Sequence, residues 1–248
     1  ISVMHVNNEI GTIQPIEAIG QIAKEYGILF HTDAVQSFGK IDVDVDKLNV
    51  DLLSASAHKI YGPKGIGFLY IRNGVEIEKF HHGGSQEAGR RAGTESVPLI
   101  VGFGKAVEVC AERMINDFEH AKMLKERMLY KINDVFSEIS DVLLLNGSVD
   151  KSIPHILNFS INSSKIEIDA EAIIYGLDIK GVAVSNGSAC TSGSLRPSHV
   201  IMALGRDEKT ALSTVRFSFG RANSIDDVDY AVEKFYEVVS GFVKLAVK

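Results

Sequence analysis

Cysteine is scarce in this chain, and so are the features that mark secreted and membrane proteins. Only Cys110 and Cys190 are present, too few for a disulfide framework, so we expect a reducing compartment and a cytoplasmic protein. No apolar run is long enough to span a bilayer, and the first residues show neither a basic amphipathic leader nor a signal-peptide pattern. The net charge of −6 is mild and spread along the chain, so neither nucleic acid nor a membrane is an expected partner.

An initiator methionine is also lacking. The chain opens inside an apolar run, residues 1–6, that predicts a buried strand, so we expect the sequence to be a fragment or a processed product. Its 248 residues suffice for one large domain or two of ordinary size. The apolar fraction of 45% and the charged fraction of 23% are typical of a globular protein.

The first half of the chain alternates strand-like and helix-like segments. Apolar residues recur at helical spacing over residues 15–26, and Gly27 follows as a stop signal. Short strands are predicted at residues 1–6, 28–31, 50–54 and 67–71. This β–α–β rhythm predicts an α/β domain with a mostly parallel sheet.

A long amphipathic pattern over residues 98–139 predicts a helix that links two domains. We place the boundary inside it, which gives a larger domain at residues 1–112 and a smaller C-terminal domain at residues 113–248. The second part predicts an α+β domain, with strands at 142–145, 155–161 and 214–219. Its helices are predicted at 167–175, 197–204 and 225–247, the last one N-capped by Ser224.

Lys59 lies in the segment SASAHKIYGPKG, between a predicted strand and a glycine-rich turn. Small residues beside it leave room for a ligand, and a partly dry pocket would favour the neutral amine that a Schiff base requires. The Ser56 hydroxyl could donate to a phosphate. Taken alone, however, such a lysine is more often a surface residue of a polar loop.

Asp33 stands at the carboxyl end of a predicted strand, where open α/β sheets bind ligands. A carboxylate there could pair with a protonated pyridine nitrogen, although an N-cap aspartate is the commoner explanation. The order and spacing of Asp33, Gln36, Ser56, His58 and Lys59 reverse that preference.

The two cysteines have different surroundings. Cys190 lies in SNGSACTSGS, a run of small polar residues that predicts an exposed, mobile thiol suited to carrying sulfur. Cys110 lies on the apolar stripe of the long helix, so we expect an inert core residue. Arg216 sits inside a predicted strand, where its guanidinium suits either a bidentate carboxylate or a structural ion pair.

Metal binding is not expected. His58 has no second ligand at zinc-type spacing, and the pair His81-His82 is a weak signal.

Six ordered motifs resemble one known family. They read HVNNEIGTIQPI, HTDAVQSFGKI, SASAHKIYGPKGIGFLYIR, HHGGSQEAGRRAGTES, SNGSACTSGS and STVRFSFGR. Together they resemble the cysteine desulfurases of the NifS/IscS type, which are fold-type I pyridoxal-phosphate (PLP) enzymes of the class-V aminotransferase group. The resemblance runs from the first residues to about Arg221 and implies the fold-type I PLP-transferase architecture.

The resemblance implies a role for each matched residue. Lys59 matches the lysine that holds PLP, Asp33 the partner of the pyridine nitrogen, and Gln36 the donor to the phenolic oxygen. The remaining matches are Ser56 and His58 as phosphate ligands, Thr94 as a phosphate ligand given to the other subunit of a homodimer, Asn8 near the ring and the substrate carboxylate, Arg216 as the carboxylate ligand, and Cys190 as the sulfur acceptor.

The implied activity converts L-cysteine to L-alanine and leaves the sulfur as a persulfide on Cys190. The expected recipient is an iron–sulfur scaffold or another sulfur-acceptor protein. Family members carry roughly another third of chain upstream, with a histidine that stacks on PLP and a loop that binds its phosphate. Alternatives therefore include a catalytically incompetent remnant and a selenocysteine lyase, while a PLP aminotransferase would have no use for a mobile thiol.

Overall fold

The computed structural model describes residues 1–166, 169–186 and 196–246. The chain forms two compact units. The first consists of Ile1–Val6 with Gln14–Ile115, and the second of Asn7–Ile13 with Asn116–Lys248. The short segment Asn7–Ile13 therefore groups with the second half of the chain, while the predicted domain division at residues 112–113 stays a prediction.

The first unit is built on a mixed four-stranded sheet. Its strands are β1 (Ser2–Met4), β2 (His31–Asp33), β3 (Leu52–Ser56) and β4 (Gly67–Ile71), in the order β1-β2-β3-β4. The first three strands are parallel, and β4 is antiparallel to β3. The chain returns from β1 to β2 through helix α1 (Ile16–Glu25), which buries Ile16 and Ala23 against Phe30, Val50 and Leu53. Mostly parallel pairing with a crossover helix is the α/β pattern predicted from the sequence.

The strand predicted at residues 28–31 is displaced to His31–Asp33. Gly27 has a left-handed φ of 62°, and Ile28 and Leu29 lead from the helix to the sheet with exposed side chains. The Phe30 N–H donates to the Asp51 carboxylate at 2.9 Å, so it is satisfied without a neighbouring strand. The apolar pattern therefore predicted this strand too early, because a side-chain acceptor takes the place of a backbone carbonyl at the Phe30 N–H.

Helix α2 (Val97–Val135) begins in the first unit and ends in the second. It stops four residues before the predicted limit of 139, where the chain tightens into a 3₁₀ turn at Ser137–Val142. Cys110 is buried on its apolar face at 5% exposure, and its thiol donates to the Gly39 carbonyl at 2.9 Å. The expectation of an inert core cysteine agrees with this placement.

The second unit contains an antiparallel sheet in the order β5-β6-β7. Its strands are β5 (Leu143–Leu145), β6 (Ile156–Ile161) and β7 (Thr214–Ser218). Its helices are α3 (Ala170–Ile179), α4 (His199–Ala203), α5 (Glu208–Leu212) and α6 (Ile225–Ala246), in addition to the second part of α2. Phe136, Phe217 and Phe235 are in ring contact at the centre of its core.

Short polar side chains cap the first turns of two helices in the second unit. Ser224 accepts from the Asp227 N–H at 3.2 Å, while Asp227 accepts from the Ser224 N–H at 2.8 Å, so the predicted N-cap of α6 is present. Asp207 caps α5 by accepting from the Thr210 N–H at 3.0 Å. Helix α5 has only five residues and was not predicted from the sequence. Within the described ranges, no helix combines the length and apolar character needed to cross a bilayer.

Candidate functional site

The first group of predicted site residues lies where β2 and β3 end. These strands are parallel, with Asp33 in register with Ser54, so Asp33 and Ser56 both stand at carboxyl ends of neighbouring strands. A 3₁₀ turn at Ala57–Ile60 follows β3 directly and carries His58 and Lys59. This is the edge of a parallel sheet at which α/β folds bind ligands.

The turn that carries Lys59 is anchored by its apolar ends. Ala57 and Ile60 are fully or nearly fully buried, whereas His58 is exposed and Lys59 is half-buried. Gly62 allows the tight exit, since a Cβ there would lie 2.9 Å from the Ala57 carbonyl oxygen. Buried neighbours on both sides therefore fix the backbone that carries Lys59.

Asp33 and Gln36 keep polar atoms available for a ligand. One Asp33 oxygen accepts from the Val35 N–H at 2.9 Å, and the other has no hydrogen-bond partner among the described residues. The Gln36 carbonyl oxygen accepts from the Lys40 amine at 3.1 Å, so its amide N–H groups are the ones left to donate. The hydrogen bond to Val35 thus uses only one of the two carboxylate oxygens of Asp33.

Ser56 and His58 form a pair, with the Ser56 hydroxyl oxygen 2.7 Å from the His58 Nδ1. In the part of the chain that the structure describes, the Lys59 amine has neither a hydrogen bond nor an ion pair. An amine, a carboxylate oxygen, amide N–H groups and a hydroxyl–imidazole pair match the aldehyde, pyridine nitrogen, phenolic oxygen and phosphate of PLP. The chemistry of these groups therefore fits that cofactor.

His5 is a buried residue beside this group that was not predicted from the sequence. Its backbone N–H donates to the Asp33 carbonyl at 2.8 Å, and its Nδ1 has no hydrogen-bond partner among the described residues. Burial lowers the pKa of the His5 imidazole, so the ring is neutral at pH 7. A histidine inside an apolar strand-like run was the signal available in the sequence.

The second group lies in the second unit and contains Asn8 and Arg216. Arg216 is half-buried in β7, and its Nη1 donates to the Asn8 carbonyl oxygen at 2.8 Å. The Asn8 side-chain amide has no hydrogen-bond partner among the described residues. The structure thus brings together the two residues that were predicted to contact the substrate carboxylate.

The remaining predicted residues are Thr94 and Cys190. Thr94 is exposed in the first unit and lines a cavity of about 800 Å³ together with Phe68 and Ile100. Cys190 lies outside the described residues. In the described ranges, no group of three or more histidine, cysteine, aspartate or glutamate side chains is arranged to hold a metal ion.

Comparison with known proteins finds similar sequences over nearly the whole chain. The cysteine desulfurase IscS of Clostridium botulinum is 46% identical over 241 residues, which cover 96% of this chain and 59% of that protein. The chain therefore spans about 59% of the length of such relatives.

Solved structures of similar proteins confirm the fold class. The X-ray structure of a NifS-like protein from Rickettsia africae superposes with a TM-score of 0.85 at 30% identity, covering 96% of this chain and 61% of that one. The structure described as SspA in complex with cysteine has a TM-score of 0.69 at 39% identity, covering 90% of this chain and 59% of that one. The resemblance to NifS/IscS-type proteins and the fold-type I α/β architecture are confirmed.

Family membership rests on a profile match. The profile described as "Aminotransferase class-V" matches residues 1–231, which is nearly the whole chain. Enzymes of this family use PLP, so the cofactor expectation is confirmed at the level of the family. The chain belongs to the class-V aminotransferase family.

Proposed function

We propose that this chain carries the catalytic residues of a PLP-dependent cysteine desulfurase, which converts L-cysteine to L-alanine and holds the sulfur as a persulfide on Cys190. The observation that carries the proposal is the grouping of Asp33, Ser56, His58 and Lys59 at the carboxyl ends of two parallel strands. The names of the similar proteins support the same activity, and one of their solved structures is described as a complex with cysteine.

The first group of residues would hold the cofactor. When bound, PLP supplies an electron sink for negative charge at the substrate α-carbon. Lys59 would hold the cofactor through its amine, and the same amine, once released, would take the α-proton of the substrate. Asp33 would keep a proton on the pyridine nitrogen with its unoccupied oxygen, and Gln36 would donate to the phenolic oxygen. Ser56 and His58 would bind the phosphate, exchanging the hydrogen bond between them for bonds to its oxygens.

Asn8 and Arg216 would recognise the substrate. A guanidinium presents its N–H groups in a planar fork that matches a carboxylate in a bidentate manner. Arg216 Nη1 donates to the Asn8 carbonyl oxygen, which restrains the position of the guanidinium. Cysteine would therefore be bound through its α-carboxylate, a group that every α-amino acid has. Its thiol would be the group that distinguishes it from other amino acids.

Cys190 would receive the sulfur. Its thiolate attacks the substrate sulfur, an S–S bond forms, and the Cβ–S bond of the substrate breaks with its electron pair moving to carbon. Protonation at Cβ and at Cα completes alanine. The substrate carbon is reduced and the Cys190 sulfur is oxidised to the persulfide, so no external oxidant is required.

We further propose a homodimer in which Thr94 contributes to the phosphate site of the other subunit. Thr94 is exposed beside apolar surface formed by Val97, Ile100 and Val101, which are 62%, 45% and 65% exposed. Apolar surface of this kind marks protein interfaces. The sulfur would pass from Cys190 to an iron–sulfur scaffold or another acceptor protein in the reducing cytoplasm, where a free thiol persists.

The test compares the two cysteines in the natural full-length protein. Cys190→Ser is expected to bind PLP with its normal absorbance but to release no sulfide from L-cysteine in the presence of a reductant. The matched control, Cys110→Ala, removes the buried thiol and should keep both the absorbance and the sulfide release. Normal sulfide release from Cys190→Ser would refute the assignment.

A further inference from the structure

Glu9 is a buried carboxylate that the proposed reaction does not use. It is 5% exposed and lies in the segment Asn7–Ile13 of the second unit. Its Oε2 accepts from the Ser198 hydroxyl at 2.6 Å, a length typical of a hydroxyl that donates to a carboxylate. Burying a carboxylate is costly unless it is hydrogen-bonded, and Ser198 supplies such a bond.

The Ser198 hydroxyl uses both its acceptor capacity and its single proton in hydrogen bonds. Its oxygen accepts from the N–H groups of Val200 and Ile201 at 3.2 and 3.3 Å, which caps helix α4. Its single proton therefore goes to Glu9. Because both partners are buried, water cannot replace either one without opening the site.

The backbone around Glu9 is also held by residues of β6 and β7. The Asn158 side-chain amide donates to the Glu9 carbonyl at 3.1 Å, and Arg216 donates to the preceding carbonyl, that of Asn8. Asn158 and Arg216 are directly opposite each other in the β6–β7 ladder. Two adjacent carbonyls of one segment are thus bound by two cross-strand neighbours.

Further side chains fix the orientation of Asn158. Its Oδ1 accepts from the Asn146 amide at 2.8 Å, and Asn146 in turn accepts from the Arg206 Nε at 3.3 Å. Such a connected and buried set of hydrogen bonds favours one arrangement over its alternatives.

The same assembly is tied to both flanks of the segment that contains Cys190. On one side, Ser185 and Arg216 exchange backbone hydrogen bonds of 3.2 and 2.8 Å. On the other side, Ser198 is bound to Glu9. Cys190 follows Ser185 by five residues and precedes Ser198 by eight.

We infer that Glu9 is a positioning residue, which acts through Ser198 and through the backbone of Asn8 to place Arg216 for the substrate carboxylate. The inference rests on the proposed function, because it assigns Glu9 a part in recognising the substrate of that reaction. Glu9 does not touch the substrate in this account. It holds the residues that do.

The test uses the natural full-length protein loaded with PLP. Glu9→Ala is expected to raise KM for L-cysteine about tenfold, with kcat within about twofold, because a displaced carboxylate ligand weakens binding more than the later steps. The dissociation constant of L-alanine, measured by calorimetry without turnover, should rise by a similar factor. PLP content and absorbance should not change, since the Glu9 side chain makes no hydrogen bond to Asp33 or Lys59 among the described residues.

Conservative variants and a double-mutant cycle separate positioning from simple loss of stability. Glu9→Gln keeps an acceptor for Ser198 and should stay within about threefold of wild type in L-alanine affinity. Ser198→Ala should match Glu9→Ala, and the double variant should be no worse than either single variant, because all three break the same bond. The control Asp207→Ala removes the cap of α5, which makes no hydrogen bond to Glu9, and should lower Tm without changing KM.

Each possible result either supports or contradicts the inference about Glu9. If the wild type converts cysteine while Glu9→Ala and Ser198→Ala keep wild-type KM and L-alanine affinity, the inference is wrong and the proposed function stands. Additive effects, or a lower Tm with unchanged affinity, would also overturn it. A wild type that neither converts cysteine nor binds L-alanine would refute the proposed function itself. If Glu9→Ala does not fold, Ser198→Ala and Glu9→Gln still report the affinity.

Discussion

Asn158 provides the sharpest test of the buried hydrogen bonds that surround Arg216. It is 1% exposed, and its side chain joins the Asn146 amide to the Glu9 carbonyl. In Asn158→Ala both of these groups lose a buried partner, although Asn146 keeps its bond to Ser160 at 2.7 Å. Each unsatisfied buried group costs about 1–3 kcal/mol, so we expect a loss of about 2–4 kcal/mol in the free energy of unfolding.

The assay is urea unfolding of the full-length protein, with the midpoint and the slope compared between variants. The matched control is Asn116→Ala, which removes the same side chain from an exposed position on α2. Alanine favours the helix there, so the control should lie within about 0.5 kcal/mol of wild type. If Asn158→Ala lowers the free energy of unfolding by less than about 1 kcal/mol, the hydrogen bonds of the Asn158 side chain are not shielded from water as the structure indicates.

Three further predictions address the dimer, the pH dependence and the core. Heterodimers of Lys59→Ala and Thr94→Ala subunits should regain activity that neither parent homodimer has, because one of their two sites combines both wild-type residues; no recovery would place Thr94 in its own subunit's site. Hydrogen bonds from Thr210 and Ser163 lower the pKa of Asp207 to about 2 from 3.8, so its contribution to stability is complete above about pH 4 and is lost as the pH falls toward 2. The stability gap between wild type and Asp207→Ala, about 1 kcal/mol at pH 7, should therefore close over that range in acid titrations followed by circular dichroism. Gly20→Ala should prevent α1 from packing, because its Cβ would lie 2.2 Å from the Leu48 carbonyl oxygen, and soluble expression with a wild-type Tm would contradict this contact.

Much of the fold could be predicted because its elements have strong local signals. The amphipathic helix α2, strand β4 and the Ser224 cap of α6 all follow from spacing and capping residues. Helix α5 was missed because five residues carry almost no periodicity, and β2 was misplaced because the Asp51 side chain satisfies the Phe30 N–H.

The candidate site also contains residues that could be predicted from the sequence and residues that could not. The placement of Asp33 and Lys59 beside strand ends could be predicted because each lies in a motif next to a strand, while their roles stay predictions. The bond between Glu9 and Ser198 could not, since 189 residues separate them and no local pattern links such positions. The sequence does contain a signal for Asn158, because it is a polar residue within the apolar segment ILNFSI. This segment forms a strand that is buried throughout. Buried polar residues in apolar strands need partners, and here the partners come from distant segments.

Covalent attachment of PLP to Lys59 is the central claim, and peptide mapping tests it most directly. The full-length protein is loaded with PLP, reduced with borohydride to make any Schiff-base linkage permanent, digested and analysed by mass spectrometry. We predict that the pyridoxyl group is found on Lys59 and not on Lys64, an exposed lysine of the same loop. A pyridoxyl group on Lys64, or on no lysine of this chain, would contradict the account.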